Sequence, residues 1–431
     1  MRGKQTRDGG SGRGGWGQSL SSVAERLYYG AQELMAFVAE VTDIRLESRK
    51  DGVNRWQVAL DRTAFYPESG GQPWDVGTLE AVARSGARLE VPVLAVVEEH
   101  GEVWHVVEKP LMAGTVVSGQ VDAARRLDHM QQHTGQHLLS AVVLAELGVA
   151  TVSFHLGAVS STIDLAVGMV AAGDLVRVEE RVNALIANDR RVSASVVERE
   201  VAEEMLARGE LRKIPERAGA IRVVEIEGVE WNACGGTHVA STGRIGGLAV
   251  RRVEKVKQGV RVEFCCGLRA LRAARGDFET VVELGRLLST GAGELAGKVS
   301  GLLEEVKAGE KARFALLEEM AGMEARALPG EGRIVVAEAR DVTYAKLLAS
   351  RVAGLGRVAV VKTVEGDRAT VVLAATSGLD CGAVMKAALA AMGARGGGSA
   401  TLAQGGVPAI EVERLVSLLR VGFEEQRGLL R

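Results

Sequence analysis

Two short motifs rich in histidine and cysteine constrain the fold of this chain more than any other feature. The first places His129, His133 and His137 at successive intervals of four residues. On a helix, residues four apart share a face, so each neighbouring pair could bind one metal ion. The second is Cys234-Gly-Gly-Thr-His238, in which the glycines permit a tight turn that points both side chains inward. Together they offer the tetrahedral set of three imidazoles and one thiolate that suits zinc.

The spacing alone leaves several interpretations open. Either His129 and His133 or His133 and His137 could be the helical ligand pair, and a half-buried histidine cluster without metal is the alternative to both. A zinc peptidase is not favoured, because its motif needs a glutamate beside the first histidine. Thr134 occupies that place, and no acid lies between His133 and His137.

Composition excludes several further classes. The 431 residues include 53 basic and 55 acidic side chains, so this is no globally basic nucleic-acid binder, and an acidic partner would need a local patch. Four cysteines exclude a disulfide scaffold and favour a reducing compartment. The sequence shows no apolar run of membrane length and no secretory leader. We therefore expect a cytoplasmic protein without a membrane segment.

Hydrophobic patterning predicts an α+β multidomain chain. Short alternating segments indicate strands until Asp122, where a long helix begins that ends at Gly148. The predicted parts are a disordered glycine-rich extension (1–24), a small β-barrel-like domain (25–120), an α+β zinc-containing domain (121–267), a helical hairpin or coiled coil (268–329) and a C-terminal α/β domain (330–431). The helical segment or the C-terminal domain offers a homodimer surface, and intramolecular packing is the alternative.

Several segments resemble the alanyl-tRNA editing family. HTGQHLL at 133–139 with CGGTH at 234–238 is similar to the paired zinc motif of the editing domain of alanyl-tRNA synthetase. TAFYPESGGQ at 63–72 resembles the glycine-rich loop of that family's first subdomain, and the match continues through 222–227, 242–246 and 259–264. The segment 396–406 resembles the C-terminal domain associated with DHH phosphoesterases. The resemblance covers roughly residues 25–431.

The resemblance implies a stand-alone, long-form editing protein. It would be a zinc-dependent hydrolase that deacylates mischarged alanine tRNA, with seryl-tRNA as the expected substrate and glycyl-tRNA as a second. One Zn²⁺ per chain would be held by His133, His137, Cys234 and His238. A non-catalytic, zinc-stabilised tRNA-binding factor is the alternative. A phosphoesterase is not favoured, because the sequence contains no Asp-His-His triplet.

The catalytic residue stays open in the sequence. Thr134, Gln136 and Ser153 are the candidates, and the hydroxyl of a serine substrate could be read by Thr134, Thr151, Ser153, Ser161 or Thr162. Such a site can reject alanine, because alanine would leave the polar groups of the protein unpaired. Zinc would either activate a water or position the substrate.

Contact with tRNA needs local positive charge. Residues 251–275, the basic strip, contain eight Lys or Arg against two Glu, which suits a tRNA backbone, and solvated strand edges are the alternative. A structural turn is the alternative for the loop at 70–72. The predicted tRNA-contacting residues are Gly70, Gly71 and Gln72 of that loop, Arg251, Arg252, Lys255, Lys257 and Arg261 of the strip, and Arg395 beside a glycine-rich loop at 393–406.

Overall fold

The computed structural model describes residues 24–50, 53–83, 85–216, 219–257, 259–329, 333–376 and 379–428. The predicted disorder of the extension falls almost wholly outside these ranges. The chain forms two compact units, one up to Thr280 and one from Val281. Within the described ranges, no helix has the length and apolar character that a membrane span requires.

The N-terminal part is a closed barrel of six strands in the order β2-β3-β7-β6-β5-β8, which confirms the predicted barrel. Along β8, alternate residues from Val117 to Val121 face the core. Gly119 is required there because a Cβ would lie 2.3 Å from the Phe37 ring. The strands are β1 (Glu25–Arg26), β2 (Ala36–Lys50), β3 (Val53–Leu60), β4 (Arg62–Thr63), β5 (Gly77–Val82), β6 (Arg88–Glu99), β7 (Glu102–Val107) and β8 (Val116–Val121).

A long, largely buried helix, α1 (Ala123–Leu147), follows the barrel. It begins at Asp122, whose side chain accepts a hydrogen bond from the Arg125 amide, and ends at left-handed Gly148, as predicted. The buried residues of α1 end at Val143, and Leu144 is exposed.

Two antiparallel sheets complete the first unit, in the orders β14-β15-β10-β9 and β11-β12-β13. The helices α1 and α2 pack against the first sheet and share its apolar core. The elements are β9 (Thr151–Leu156), β10 (Ser161–Leu165), α2 (Ala172–Ala187), β11 (Val192–Val197), α3 (Arg199–Ala207), β12 (Ile221–Ile226), β13 (Glu230–Ala233), β14 (Leu248–Val256) and β15 (Gly259–Cys266). Helix α4 (Gly267–Leu288) begins in this unit and continues past its end at Thr280.

The second unit is built on a five-stranded sheet in the order β16-β17-β18-β20-β19. The end of α5 and helix α6 contribute to one apolar cluster on this sheet, and α7 and α8 to another. The elements are α5 (Leu295–Ala327), β16 (Ile334–Glu338), α6 (Val342–Gly354), β17 (Val358–Glu365), β18 (Arg368–Ala374), α7 (Cys381–Ala390), β19 (Gly396–Gly398), β20 (Leu402–Pro408) and α8 (Val412–Gly428).

The glycine-rich loop predicted at 393–406 is wrong for most of its length. β19 and β20 pair in this segment as antiparallel strands at the sheet edge. Its glycines serve close packing, since a Cβ at Gly405 would lie 2.3 Å from the Leu389 side chain.

The helical segment consists of α4 and α5, which are separated by residues 289–294. Several apolar side chains of α5 remain exposed, including Leu303, Val306 and Leu316. Intramolecular packing therefore does not cover this face within the described residues, and the homodimer stays a prediction.

Candidate metal centre

Helix α1 and the turn after β13 bring four predicted ligands together. His133 and His137 come from the helix, and Cys234 and His238 come from the turn. Their candidate donor atoms all lie within 4.8 Å of one another. The Cys234 Sγ atom is 3.4 Å from His133 Nε2 and 3.4 Å from His238 Nε2. The fold thus selects His133 and His137 from the two helical pairs that the spacing left open.

His129 lies outside this cluster although it shares the helix and is also buried. Its Nδ1 has no hydrogen-bond partner among the described residues. Burial lowers the pKa of His129 to about 4, which keeps the imidazole neutral. The residue therefore packs in the protein interior next to the candidate site without joining it.

Each imidazole of the cluster directs Nδ1 to a polar oxygen on a different element. Two of these pairs are hydrogen bonds, His133 with Gln72 Oε1 at 2.9 Å and His238 with Thr134 Oγ1 at 3.2 Å. The third, His137 with Glu230 Oε1 at 3.3 Å, is an ion-pair contact without hydrogen-bond geometry. A histidine whose Nδ1–H is held in this way presents a lone pair on Nε2. The arrangement is the one that protein metal sites use to fix their histidine ligands.

The protonation of the cluster also suits a metal. Burial would raise the pKa of the Cys234 thiol, but the neighbouring His133 and His238 hold it well below its ordinary value. Burial lowers the pKa of His238 to about 3, so that imidazole is neutral. Burial would also lower the pKa of His137, but the neighbouring Cys234 and Glu230 raise it to about 10. A bound metal would displace that proton.

The donor set therefore fits zinc. Three imidazole nitrogens and a thiolate form a borderline-soft, four-member set. Gly236 makes the approach possible, because a Cβ there would lie 2.1 Å from the His133 ring. The predicted glycine requirement in this turn is thus one of space at Gly236 rather than of unusual backbone angles.

The glycine-rich loop of the barrel reaches the same cluster. Ser69 and Gln72 exchange backbone hydrogen bonds around Gly70 and Gly71, whose φ angles are 56° and 82°. Two successive positive φ angles define a type I′ turn, which favours glycine at both positions. Gln72 is fully buried, so its side chain cannot make the predicted contact with tRNA. The reason is that this side chain points to α1, whereas Ser69, Gly70 and Gly71 are exposed, so the tRNA contact predicted for the two glycines stays a prediction.

A buried ion pair holds this loop to α1. Arg126 and Asp75 are both fully buried and bond directly to each other. Arg126 also donates to the carbonyls of Ala64 and Gln32, and Asp75 accepts from the Tyr66 amide at 2.7 Å. Arg126 was not singled out in the sequence, whereas Asp75 follows the matched loop as part of the same resemblance.

The three catalytic candidates have different surroundings. The Thr134 hydroxyl is already occupied, since it donates to the Met130 carbonyl and accepts from the Val239 amide. Ser153 donates to Asp164 at 2.7 Å on an exposed sheet face, so it lies outside the cluster. Gln136 donates from Nε2 to Ser140, and its buried Oε1 has no partner among the described residues.

The other hydroxyl candidates lie on β9 and β10. Thr151 donates to Ser140 at 2.9 Å. Ser161 is buried, and its Oγ has no partner within the described ranges. Thr162 follows Ser161 on the strand and therefore faces the opposite side of the sheet.

A cavity of about 460 Å³ opens beside Cys234. The barrel contributes Tyr29 and Ser69 to its lining, and the α+β part contributes Arg222 and Cys234. Arg222 is buried and donates from Nη1 to the carbonyls of Cys234 and Gly236, at 2.7 and 2.9 Å. Its Nε and Nη2 have no partner in the described part of the chain. Arg222 was not among the predicted site residues, although it begins a matched segment.

Among the described residues, four of the eight cations of the basic strip form ion pairs, three of them with acids outside the strip. Arg251 pairs with Asp277, and Arg261 pairs with Asp164 through two contacts of 2.7 and 2.9 Å. Two further pairs are Arg252 with Glu254 and Arg269 with Asp128.

The two lysines of the strip differ from its four paired arginines. Lys255 and Lys257 are exposed and have no ion pair within the described ranges. Arg395 is likewise exposed, in the second unit.

Two family models match the chain. The one described as threonyl and alanyl tRNA synthetase second additional domain matches residues 221–263, which include the Cys234–His238 turn. The one described as tRNA synthetases class II (A) matches residues 17–125. The described part of that range forms the barrel and the start of α1.

Curated relatives extend the match. The alanyl-tRNA editing protein Aarsd1-B of Xenopus laevis is 33% identical over 297 residues, which cover 68% of this chain and 69% of that protein. Aarsd1 of Mus musculus is 33% identical over 298 residues, which cover 68% and 70%. The chain belongs to the alanyl-tRNA editing protein family. The resemblance inferred from the motifs is thereby confirmed.

Other relatives share less of their length with this member of the family. The chain spans 66% of Aarsd1 of Danio rerio, at 34% identity over 285 residues, and 65% of the chain is covered. It spans 44% of the alanine–tRNA ligase of Korarchaeum cryptofilum, at 30% identity over 402 residues, and 88% of the chain is covered. The C-Ala domain from Aquifex aeolicus alanyl-tRNA synthetase aligns to 21% of this chain and 87% of its own, at 23% identity and a TM-score of 0.19, too low to establish a shared fold.

Proposed function

We propose that this chain is a trans-editing hydrolase that cleaves the aminoacyl ester of mischarged alanine tRNA and uses one Zn²⁺. The observation that carries the proposal is the cluster of His133, His137, Cys234 and His238, in which hydrogen bonds at Nδ1 hold the His133 and His238 rings. A cavity adjoins this cluster at Cys234. The names of the relatives, alanyl-tRNA editing proteins, support the same reaction.

The zinc ion, Arg222 and the walls of the cavity would have different roles in this reaction. A zinc ion bound there would supply a Lewis acid that polarises the ester carbonyl or lowers the pKa of an attacking water. Arg222 holds the turn that carries Cys234 and Gly236 through its two carbonyl contacts. The walls of the cavity, drawn from the barrel and the α+β part, would exclude bulk water around the ester.

We propose Gln136 as the reader of the amino-acid hydroxyl. It stands one turn after His133 on α1, and its Oε1 is buried and unpaired among the described residues. A seryl hydroxyl could donate to this oxygen, whereas alanine would leave it unpaired at a cost of about 1–3 kcal/mol. Thr134 is the weaker candidate because its hydroxyl already serves Met130 and Val239.

We propose that tRNA is bound through exposed cations that have no acidic partner, foremost Lys255 and Lys257.

A cytoplasmic location is supported by the four cysteines, all of which are free thiols. The exposed apolar side chains of α5 support a homodimer surface.

One deacylation experiment tests the reaction. Seryl-, glycyl- and alanyl-tRNA for alanine would be incubated with the full chain, with and without a zinc chelator, and released amino acid would be measured. We expect chelator-sensitive release of serine and little release of alanine. Gln136→Ala should reduce the preference for serine over alanine about tenfold, given the cost of an unpaired buried group. Gln120→Ala, in β8, is the control.

The same experiment distinguishes the alternative function. A chain that binds tRNA and zinc but hydrolyses none of the three esters would be a non-catalytic tRNA-binding factor. A chain that hydrolyses seryl-tRNA equally well after complete removal of zinc would contradict the proposed role of the metal.

A further inference from the structure

We infer that Gln72 of the barrel is a positioning residue of the metal centre, and that the glycine turn before it serves to place it there. The inference rests on the proposed metal site and adds a role for the barrel in it. Gln72 lies on a loop of the barrel, whereas all four ligands lie on α1 and on the turn after β13. The metal centre therefore draws on two parts of the first unit.

The contacts of Gln72 use both ends of its amide. Oε1 accepts from His133 Nδ1 at 2.9 Å and from the Thr237 amide at 3.0 Å. Nε2 donates to Thr237 Oγ1 at 2.8 Å. One fully buried side chain thus bridges His133, one of the two helical ligands, and the turn that supplies Cys234 and His238. Because Oε1 can only accept, it fixes the His133 proton on Nδ1 and leaves Nε2 for a metal.

Two glycines near this contact, Gly71 and Gly236, have no room for a side chain. A Cβ at Gly236 would lie 2.1 Å from the His133 ring and 2.9 Å from Gln72 Oε1. A Cβ at Gly71 would lie 2.8 Å from the Phe154 ring, and the φ of Gly71 is +82°. The glycine-rich loop is therefore shaped to bring its glutamine to His133.

The test compares Gln72→Ala, Gln72→Glu and a matched control, Gln57→Ala. Gln57 is also a buried glutamine of the barrel, but it bonds to Arg45 and not to the cluster. Zinc affinity would be measured by competition with a colorimetric chelator, and the geometry of the site by the visible absorption of bound Co²⁺. Thermal unfolding in excess chelator would show whether each apo chain is folded.

We expect Gln72→Ala to weaken zinc binding about 10–100-fold and to change the Co²⁺ spectrum, as loss of an outer contact to a ligand does. Gln72→Glu should restore most of the affinity, because a carboxylate can accept from both His133 and Thr237. Gln57→Ala should match the wild type in both measurements.

The outcomes separate this inference from the proposed function. If the wild type binds zinc and Gln72→Ala binds it with equal affinity and an unchanged Co²⁺ spectrum, the inference is overturned while the proposed function stands. If the wild type binds no zinc, the proposed function fails first. Should Gln72→Ala not fold, Gly71→Ala displaces the loop and leaves the glutamine intact. We expect the same loss of affinity there, and an unchanged affinity would overturn the inference.

Discussion

The metal cluster and the basic strip are both apparent in the sequence as short runs of residues. In the folded chain, the first keeps its predicted grouping, whereas the second is partly paired with acidic residues. The four predicted ligands converge, with Cys234 within 3.4 Å of two imidazoles. In the strip, Arg251 and Arg261 are instead bound by acids that the run itself does not contain. The spacing of side chains on a helix is fixed locally, whereas the net charge of a surface depends on what folds against it.

Burial sharpens the contrast. The Arg126–Asp75 ion pair, which holds the barrel loop to α1, is completely buried, while the side chains of Arg251 and Asp277 are 28% and 59% exposed. Charges that are removed from water depend on their partners, and solvated charges do not. The following predictions test this difference from the largest expected effect to the smallest.

Cys234→Ala should nearly abolish zinc binding. Zinc sites with four ligands have apparent binding free energies of about 10–16 kcal/mol, so losing one ligand should weaken binding about 1,000-fold. Metal content after dialysis measures the effect, and Cys265→Ala, which removes another buried thiol, is the control. Full zinc content together with full deacylase activity in Cys234→Ala would show that the assignment is wrong.

Arg126→Met should destabilise the first unit by about 3–5 kcal/mol, because the Asp75 carboxylate would remain buried without its partner. Arg251→Met, at an exposed pair, should cost less than about 1 kcal/mol. Urea unfolding in the presence of a chelator would measure both without a contribution from zinc. Equal effects of the two substitutions would contradict the distinction drawn from burial.

Thr134→Val should weaken zinc binding about 10–100-fold, since the Val239 amide and His238 Nδ1 would both lose the hydroxyl. Chelator competition measures the change. Thr151→Val is the control, because its hydroxyl bonds to Ser140 and touches no ligand. A loss of activity with unchanged zinc affinity would instead indicate a direct catalytic role for Thr134.

The smallest expected effect concerns the strip. Removing Lys255 and Lys257 together should reduce the salt dependence of tRNA binding by about two phosphate contacts. Removing Arg251 and Arg261, which carry the same charge but are paired with acids, should change it less. Filter binding over a range of salt concentrations compares the two double variants, and a larger effect of the arginines would reverse our interpretation of the strip.

Features that depend on a few adjacent residues were predictable. Asp122 and Gly148 bound α1 as expected, because capping is a local property of the backbone. Segments of alternating hydrophobicity likewise predicted the barrel strands, because this pattern is also local to each strand. The segment 393–406 shows where local sequence patterns fail as predictors, since a glycine-rich composition is compatible both with a loop and with a closely packed sheet edge.

The sequence by itself determined which residue types could bind a metal and that one helix and one glycine-containing turn would present them. Spacing left His129 and His137 open as partners of His133, the family resemblance implied His137, and the tertiary structure brings His133 and His137 together. Only the tertiary structure decided that Ser153 faces away and that Gln72 turns inward to His133. The physical reason is that a ligand set and its supporting hydrogen bonds are contacts between distant segments. Local spacing determines which side chains are available to bind a metal, and tertiary packing determines which of them come into contact.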